Sequence, residues 1–525
     1  MGTLEGATTL DPAQPEAWGP ETGRSGERPR LPVLTILSHA DLSRVGDRAL
    51  LNELLRGREV PLSRQQPRFA APGAPGGVPL GDPFLSRGPL RLEVRPGGGL
   101  RIHRAGSSLR LAVDGVPLAD GLDLSAGALE EGVLLDLAGR VALLLQTRQA
   151  PASPPPERFG LVGESAGMEA VRQAVARVAP LSVPVLLRGE TGTGKEIVAR
   201  ALHEHGPRSG RPFLAVNLGA LPPTLAAAEL FGAERGAYTG AVRDTPGYFA
   251  RAHGGTLFLD EIGEAPREIQ VMLLRALETQ EVVPVGGQKP RRVDVRIVSA
   301  TDSNLEEALR AGSFRTPLLH RLAGYSIRMP PLRQRREDFG RLLVHFLLRE
   351  IAEIGDPPPP SSPSLPVPWL PPPLVIRLAR LDWPGNVRQL RNVARQLAID
   401  GRGRPALEAG PGLGDLLLTA GAPPASTPPA EPRRRPSEIG EEEMLAALRA
   451  HRWSLKDTAA ALGIARTSLY TLLERSTRVR PAAGVPPEEI RRALERCGGD
   501  VEAVAAELEV SERALRQRLK DLGLR

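Results

Sequence analysis

Two segments of this chain carry residue types suited to phosphoryl chemistry. The first, Gly189-Glu190-Thr191-Gly192-Thr193-Gly194-Lys195-Glu196, follows the apolar run 183–187 and precedes the helix-patterned stretch 197–205. That order predicts a strand, a phosphate-binding loop and a helix. Glycines let successive backbone N–H groups converge on phosphate oxygens, the helix N-terminus adds positive potential, and Lys195 brings a point charge to the β/γ-phosphates. Glu196 stands where the general motif has a Ser or Thr ligand for Mg²⁺. The second segment, Gly255-Thr256-Leu257-Phe258-Leu259-Asp260-Glu261, is an apolar strand ending in two carboxylates. Asp260 suits a Mg²⁺ ion held through water, and Glu261 suits a general base that polarises an attacking water.

Between them lies the hexapeptide Gly236-Ala237-Tyr238-Thr239-Gly240-Ala241. It is similar to the surface loop with which bacterial enhancer-binding proteins, the sigma-54-dependent transcriptional activators, grip the sigma factor while hydrolysing ATP; Tyr238 replaces the usual Phe. The resemblance runs over residues 159–405, with its motifs in order, and includes Glu196, which that family also carries. It implies an AAA+ fold, with a parallel α/β core and a helical lid, that binds ATP and Mg²⁺, assembles into a homo-oligomeric ring (a hexamer) and acts on the sigma-54 RNA polymerase. It further implies that Asn217 restrains Glu261 until ligands are in place, although a lone Asn at a strand end also suits a helix cap. One of Thr301, Asp302, Ser303 and Asn304 would sense the γ-phosphate. Arg315 and Arg321 would enter the neighbouring subunit's site, where a fixed cationic fork can neutralise the transferred phosphoryl group. Arg388, in Trp383-Pro384-Gly385-Asn386-Val387-Arg388, would reach the phosphates from the lid of the same subunit. Pro317 stands where the family has Asp, which a helix tolerates if Thr316 caps it and Pro317 is its first residue.

The elements that must position these groups are divided by proline-rich stretches at 151–156, 357–373 and 422–436, a composition that favours extended, poorly packed chain. The first and last mark linkers, placed at 150–158 and 406–437; the middle one reads as an insertion in the lid. Residues 1–31 are expected to be disordered. Residues 32–149 contain short β-type runs at 34–37, 90–94 and 141–145 between Gly/Pro turns, with one possible helix at 48–55, and predict a β-sandwich. This part resembles a forkhead-associated domain, the phosphothreonine-binding sandwich, through Gly46 and Arg48 (or Gly57 and Arg58), Ser86-Arg87 and Asp114-Gly115. The resemblance implies that Arg48, Ser86 and Arg87 hold the phosphate of a phosphothreonine protein. It departs at Pro89, where that family has His, and at Asp114, whose carboxylate cannot donate as the usual amide does.

The C-terminal region repeats itself at an offset of 46 residues: Ala447, Leu448, Ala459, Ala460, Leu462, Ile464, Leu469 and Leu473 align with Ala493, Leu494, Ala505, Ala506, Leu508, Val510, Leu515 and Leu519. Each copy, 438–477 and 485–525, resembles a Fis-type helix-turn-helix, an all-α unit whose last helix enters the major groove. The exposed candidates for enhancer DNA are Arg466, Thr467, Ser468 and Tyr470, then Arg513 and Arg516 beside Ser511, Glu512 and Arg518.

Composition agrees with this multidomain plan. At 525 residues the chain can bury several cores, and its single cysteine, Cys497, excludes an intramolecular disulfide. No stretch reaches the roughly 18 uninterrupted apolar residues of a membrane span, which points to a cytoplasmic protein. The net charge of +7 suits a nucleic-acid partner. The leading expectation is a sigma-54-dependent, DNA-bound ATPase. Its rivals are a DNA-binding regulator on a relict ATPase fold, disfavoured by intact Lys195, Asp260, Glu261 and Thr239, and a phosphopeptide-binding adaptor.

Overall fold

The computed structural model of the chain describes residues 30–95, 97–149, 157–237, 242–410 and 413, and then 440–450, 453, 458, 459, 461, 462, 469, 476, 485–497, 501–508, 510, 515, 518, 519 and 522. Of the segment expected to be disordered only Arg30 and Leu31 are described, and they open a strand instead, with Leu31 buried; most of both linkers lie outside these residues. The chain divides after Gly421 into two units, described separately. Among the described residues no helix is long and apolar enough to cross a membrane.

The N-terminal strands are β1 (Arg30–Ser38), β2 (Arg48–Leu50), β3 (Val60–Leu62), β4 (Leu90–Val94), β5 (Leu100–His103), β6 (Leu111–Val113), β7 (Val116–Pro117), β8 (Gly121–Leu124), β9 (Val133–Leu137) and β10 (Val141–Gln149). They form two antiparallel sheets, ordered β2-β1-β10-β9-β6-β7 and β3-β4-β5-β8. Leu34, Ile36, Leu143 and Leu145 of the first sheet share one core with Leu62, Leu90, Leu92 and Ile102 of the second. The stretch 48–55 is not one helix. Its first part pairs with β1 as a strand, Thr35 opposite Arg48 and Val33 opposite Leu50, and only Asn52–Leu55 turns helical. Pairing along the open edge of β1 outweighs a weak local helix preference.

The six-stranded sheet is buried on both faces. Leu37, Leu134, Ala142 and Leu144 turn away from the core shared by the two antiparallel sheets and join Phe339, Leu343, Leu347, Leu374, Val375 and Trp383 of the lid. Two-sided burial accounts for the apolar runs 133–135 in β9 and 141–145 in β10, where a strand with one wet face would alternate. Helix Phe339–Ile354 approaches β1 so closely that a β-carbon at Gly340 would stand 2.5 Å from the Leu37 carbonyl oxygen.

The α/β core follows with β11 (Val185–Arg188), β12 (Phe213–Asn217) and β13 (Thr256–Asp260), a small antiparallel pair β14 (Glu281–Val282) and β15 (Arg291–Arg292), and then β16 (Arg296–Thr301) and β17 (Tyr325–Arg328). The central sheet is parallel, in the order β12-β13-β16-β11-β17. Helices Ala166–Val178 and Lys195–Glu204 cover one face around Val185, Leu187, Phe258 and Val298. Helices Arg267–Thr279 and Thr316–Leu322 cover the other around Leu186, Leu257, Leu259 and Ile297. Three helices, Phe339–Ile354, Pro372–Ala379 and Asn386–Asp400, form the lid.

The proline-rich insertion differs from the poorly packed chain its composition suggests. Trp369 and Leu370 are buried in the lid core. The backbone around them is satisfied by the N-terminal sheets: Ser38 Oγ donates to the Leu370 carbonyl (2.7 Å), Ser362 N to the Ala40 carbonyl, and Leu42 N to Ser361 Oγ. Arg140 donates to the carbonyls of Pro366 (2.8 Å), Leu365 (2.9 Å) and Pro363 (3.3 Å) while its guanidinium pairs with buried Asp82 at 2.8 Å. Proline lacks an N–H but keeps its carbonyl, so a five-donor guanidinium is well matched to such a segment.

In the second unit, Met444, Leu445, Leu448, Trp453, Ala459, Leu462 and Leu469 form one small core. Val485, Ile490, Ala493, Val504, Ala505, Val510, Leu515 and Leu519 form another. Helices Glu441–Ala450 and Pro487–Arg496 open the two copies, and Ala459/Ala505 and Leu469/Leu515 occupy equivalent buried positions, as the repeat predicts. Arg466, Thr467, Ser468, Tyr470, Arg513 and Arg516 lie outside the described residues.

Removing Arg140 strands the Asp82 carboxylate, which is fully buried. Arg140→Met is therefore expected to lower stability by about 3 to 5 kcal/mol in chemical denaturation, and Arg140→Met with Asp82→Leu to recover part of that loss.

Candidate active site

The phosphate loop leaves β11 and enters helix Lys195–Glu204 through glycines at positive φ, Gly192 at 75° and Gly194 at 104°. A β-carbon on Gly192 would also collide with the Gly385 carbonyl from the lid. The loop is therefore glycine both for its own turn and because another backbone passes over it. Lys195 Nζ folds back onto the carbonyls of Gly189 (2.6 Å) and Glu190 (3.2 Å), and Thr193 Oγ1 donates to the Glu190 carbonyl at 2.7 Å. Burial pulls the Lys195 ammonium below the usual lysine range, opposed by the negative charges of Asp302, Asp260 and Glu261. Glu196 is exposed on the first helical turn, 3.4 Å from Arg200.

Those carboxylates converge because parallel strands end together. Asn217 and Asp260 are register partners at the ends of β12 and β13, and β16 delivers Thr301 and Asp302 beside them. Burial pushes the Asp260 carboxyl up, with Lys195 opposing it. Glu261 takes a left-handed conformation (φ 53°), and its backbone N–H donates to Asp260 Oδ1 at 3.1 Å. Asn217 Oδ1 accepts from Ala220 N at 3.2 Å, which is the capping role open to a strand-end Asn, and leaves its amide NH₂ free to act as a donor. A β-carbon on Gly219 would come up against Glu261 Oε2 and lie 3.4 Å from Asn217 Oδ1, so this glycine sits between the two side chains. Among the four candidate sensor residues, Asp302 acts on Lys195, Thr301 Oγ1 accepts from Ser303 N, and Asn304 caps helix Leu305–Arg310.

The lid grips the loop through residues whose roles were not apparent in the sequence. Asn386, fully buried at φ 49°, accepts from Leu332 N (2.8 Å) and donates to the Thr191 carbonyl and Glu190 Oε2, both at 3.1 Å. Glu190 also holds Arg333 at 2.8 and 2.5 Å, and these bonds depress its carboxyl to about 2, so the pair stays ionised down to strongly acidic pH. Buried Arg335 donates to the Thr193 carbonyl at 3.2 Å. Arg388 N donates to the Gly192 carbonyl at 3.3 Å, while its guanidinium is exposed and acts electrostatically on Lys195. A Gly-Asn pair before a helix was a visible sign of a tight turn; the specific partners are set by the tertiary fold.

Arg315 and Arg321 are exposed, the first at the start of helix Thr316–Leu322 with its N–H on Gln270 Oε1, the second 3.6 Å from Glu278. Thr316 is the first residue of that helix rather than its cap, so Pro317 sits second, still within the turn where its missing N–H costs nothing. The hexapeptide is carried by a paired stem: Ala233 and Thr245 exchange backbone hydrogen bonds, Glu234 N donates to the Val285 carbonyl, and Arg235 N to Asp244 Oδ1. Gly236 and Ala237 continue from it, and Tyr238, Thr239, Gly240 and Ala241 lie outside the described residues.

In the N-terminal sheets Ser86 Oγ lies 2.9 Å from Ser108 Oγ, Arg64 N donates to the Ser86 carbonyl, and Arg87 is exposed. Arg48 does not join them; it faces Asp338 across 4.0 Å and lines a cavity that Ser86 and Arg87 do not line.

A phosphate loop between parallel strands, an acidic strand end and a helical lid closing on the loop define an AAA+ ATPase domain. Residues 161–328 match the sigma-54 interaction domain, 333–405 the AAA+ ATPase lid domain, and 488–522 the bacterial regulatory protein Fis family. The Fis match thus falls on the second helix-turn-helix copy. The chain is 38% identical over 399 residues to the DNA-binding transcriptional regulator NtrC of Azospirillum brasilense, covering 74% of this chain and 76% of that protein. It is 37% identical over 385 residues to the transcriptional regulatory protein ZraR of Salmonella typhimurium, covering 73% and 83%. Against the DNA-binding transcriptional regulator NtrC of Klebsiella pneumoniae it is 45% identical over 262 residues, and spans about half of that relative, 54% of its length. The chain belongs to the NtrC-like family of sigma-54-dependent transcriptional regulators.

Asn386→Ala removes one acceptor and two donors from a buried site and is expected to cost about 1 to 3 kcal/mol of stability. Nucleotide affinity should fall with it, because the loop loses its tie to the lid; calorimetric titration with ADP measures this.

Proposed function

We propose that this chain is an ATP-dependent, DNA-bound transcriptional activator that remodels the closed complex of sigma-54 RNA polymerase so that promoter DNA can open. The observation that carries this reading is the union, in one domain, of an intact phosphate loop and acidic strand end with a paired stem from which Gly236 and Ala237 continue. Lys195 would exchange the Gly189 and Glu190 carbonyls for phosphate oxygens of ATP. Asp260 fits a Mg²⁺ ion held through water; the ion would neutralise charge on the phosphates. Glu261 would polarise the attacking water, with the free amide of Asn217 as its restraint. Arg388 would meet the phosphates from the lid, and Arg315 and Arg321, exposed on the surface, would complete the site of the next subunit in a homo-oligomeric ring, a hexamer. The helix-turn-helix copies would hold enhancer DNA, and the work would take place in the cytoplasm.

The N-terminal sandwich would be a forkhead-associated-like module for a phosphothreonine protein. Its support is the meeting of Ser86, Ser108 and the backbone of Arg64, with Arg87 exposed alongside. Arg48, expected in that site, lies elsewhere, and the Arg64 guanidinium donates to the Pro83 carbonyl. Residues 30–149 should bind a phosphothreonine peptide library in preference to its unphosphorylated control, and equal binding of the two would remove this module from the reading.

Lys195→Ala should abolish ATP binding, whereas Glu261→Gln should keep binding and stop phosphate release, since only the second removes the water-polarising group alone. The decisive variant is Thr239→Ala. It should assemble and hydrolyse ATP as the parent does, yet fail to bind sigma-54 with a transition-state nucleotide analogue and fail to open a promoter. Full promoter opening by Thr239→Ala with Tyr238→Ala would refute the coupling role of the loop.

A further inference from the structure

The lid-facing side of the six-stranded sheet changes character along its length. Over the lid it presents Leu37, Leu134, Ala142 and Leu144. Further along the same face, set by the register Thr35 opposite Arg48 and Val33 opposite Gln146, it presents Thr35, Arg48, Gln146 and Arg148. These residues, the loop 70–76 and Glu164, Glu169 and Glu337 of the ATPase body enclose a cavity of about 320 Å³. That volume lies at the small end of the range for small-molecule sites.

The polar groups around this cavity are unequally satisfied. Its acids have partners: Glu337 holds Arg148 at 3.2 Å, Glu164 holds Arg341 at 3.5 Å, and Glu169 accepts from Gln173 at 3.0 Å. Three buried donors have none: Thr35 Oγ1, on a residue with no solvent exposure, Arg48 Nε and Arg148 Nε. Asp338, 4.0 Å from Arg48 and outside the lining of the cavity, also keeps one oxygen without a partner, and burial pushes its carboxyl up. Leaving buried donors unpaired costs free energy that packing alone would have removed by placing apolar side chains there, as the same sheet does over the lid. An excess of unpaired donors selects an acceptor-rich ligand, and two guanidinium groups select a negative one.

We infer that this cavity is a binding site for a small oxyanion, a carboxylate- or phosphate-bearing molecule held by Thr35, Arg48 and Arg148 between the N-terminal sheet and the ATPase body. The site is separate from the Ser86–Ser108 cluster and from the phosphate loop. A ligand here touches both bodies at once. It also abuts Glu337, two residues from the Arg335 that donates to the Thr193 carbonyl of the phosphate loop.

The test is calorimetric titration of the full chain, saturated with ADP so that the phosphate loop is filled, with inorganic phosphate and with succinate in separate experiments. Saturable binding of one of them is expected, with affinity reduced at least about tenfold in Thr35→Val and in Arg148→Gln. Binding of phosphate alone assigns a phosphoryl ligand, and of succinate alone a carboxylate. Thr35→Val is nearly isosteric and removes an unpaired hydroxyl, so the probe-free variant should be at least as stable as the parent in thermal unfolding. Absence of saturable binding for both probes at millimolar concentration, binding left unchanged by both substitutions, or a clear loss of stability in probe-free Thr35→Val would each overturn the assignment.

Discussion

The architecture of the first unit depends on a single sheet with two buried faces. Its inner face packs on the four-stranded sheet and its outer face supplies Leu37, Leu134, Ala142 and Leu144 to the lid. Removing apolar surface from water is the dominant favourable term in such a contact, and here it is spent on joining two bodies rather than on enlarging either. Gly340 permits the close approach, and Arg140 fixes its rim by neutralising Asp82 and collecting three carbonyls of the proline-rich insertion. The insertion, lacking many N–H donors, could not close on itself through a ladder; it is ordered by donors from elsewhere.

The nucleotide loop is held by a similar division of labour. Glycine gives it shape, but its carbonyls are occupied by Lys195, Asn386, Arg335 and the backbone of Arg388. Three of these four belong to the lid or to the segment leading into it. The geometry of the phosphate loop is therefore a property of the lid's position as well as of local sequence. The Glu190–Arg333 pair, ionised over the whole working pH range, adds a charge-assisted tie that salt weakens more than acid does.

Much of the α/β core was legible because its signals are local. The apolar runs at 183–187, 213–217 and 255–259 are strands, the glycine loop opens a helix, and Asp260 and Glu261 stand at a strand end. The C-terminal repeat was legible for a related reason: alanines and leucines at a fixed offset occupy equivalent buried places. What escaped notice depends on distant partners. Proline content alone suggested loose chain at 357–373, because composition does not reveal Arg140 waiting on another sheet. Arg48 was chosen for a phosphate pocket by its neighbour Gly46, whereas register places it opposite Thr35, away from Ser86. The three bonds of Asn386, to residues 54, 195 and 196 positions away, leave no trace in periodicity. The unalternating strands β9 and β10 did carry a readable sign of a second buried face, one that a sandwich with a wet outer surface does not explain.

The bonding of the insertion has a mechanical consequence. With Trp369 and Leu370 set in the lid core, and Arg140 and Ser38 set in the N-terminal sheets, the two share one bonded seam. A lid displaced from the phosphate loop would have to break this seam or take the N-terminal sheets along. The carbonyls of the phosphate loop, the lid core and the N-terminal sheets are thereby linked by one continuous run of contacts.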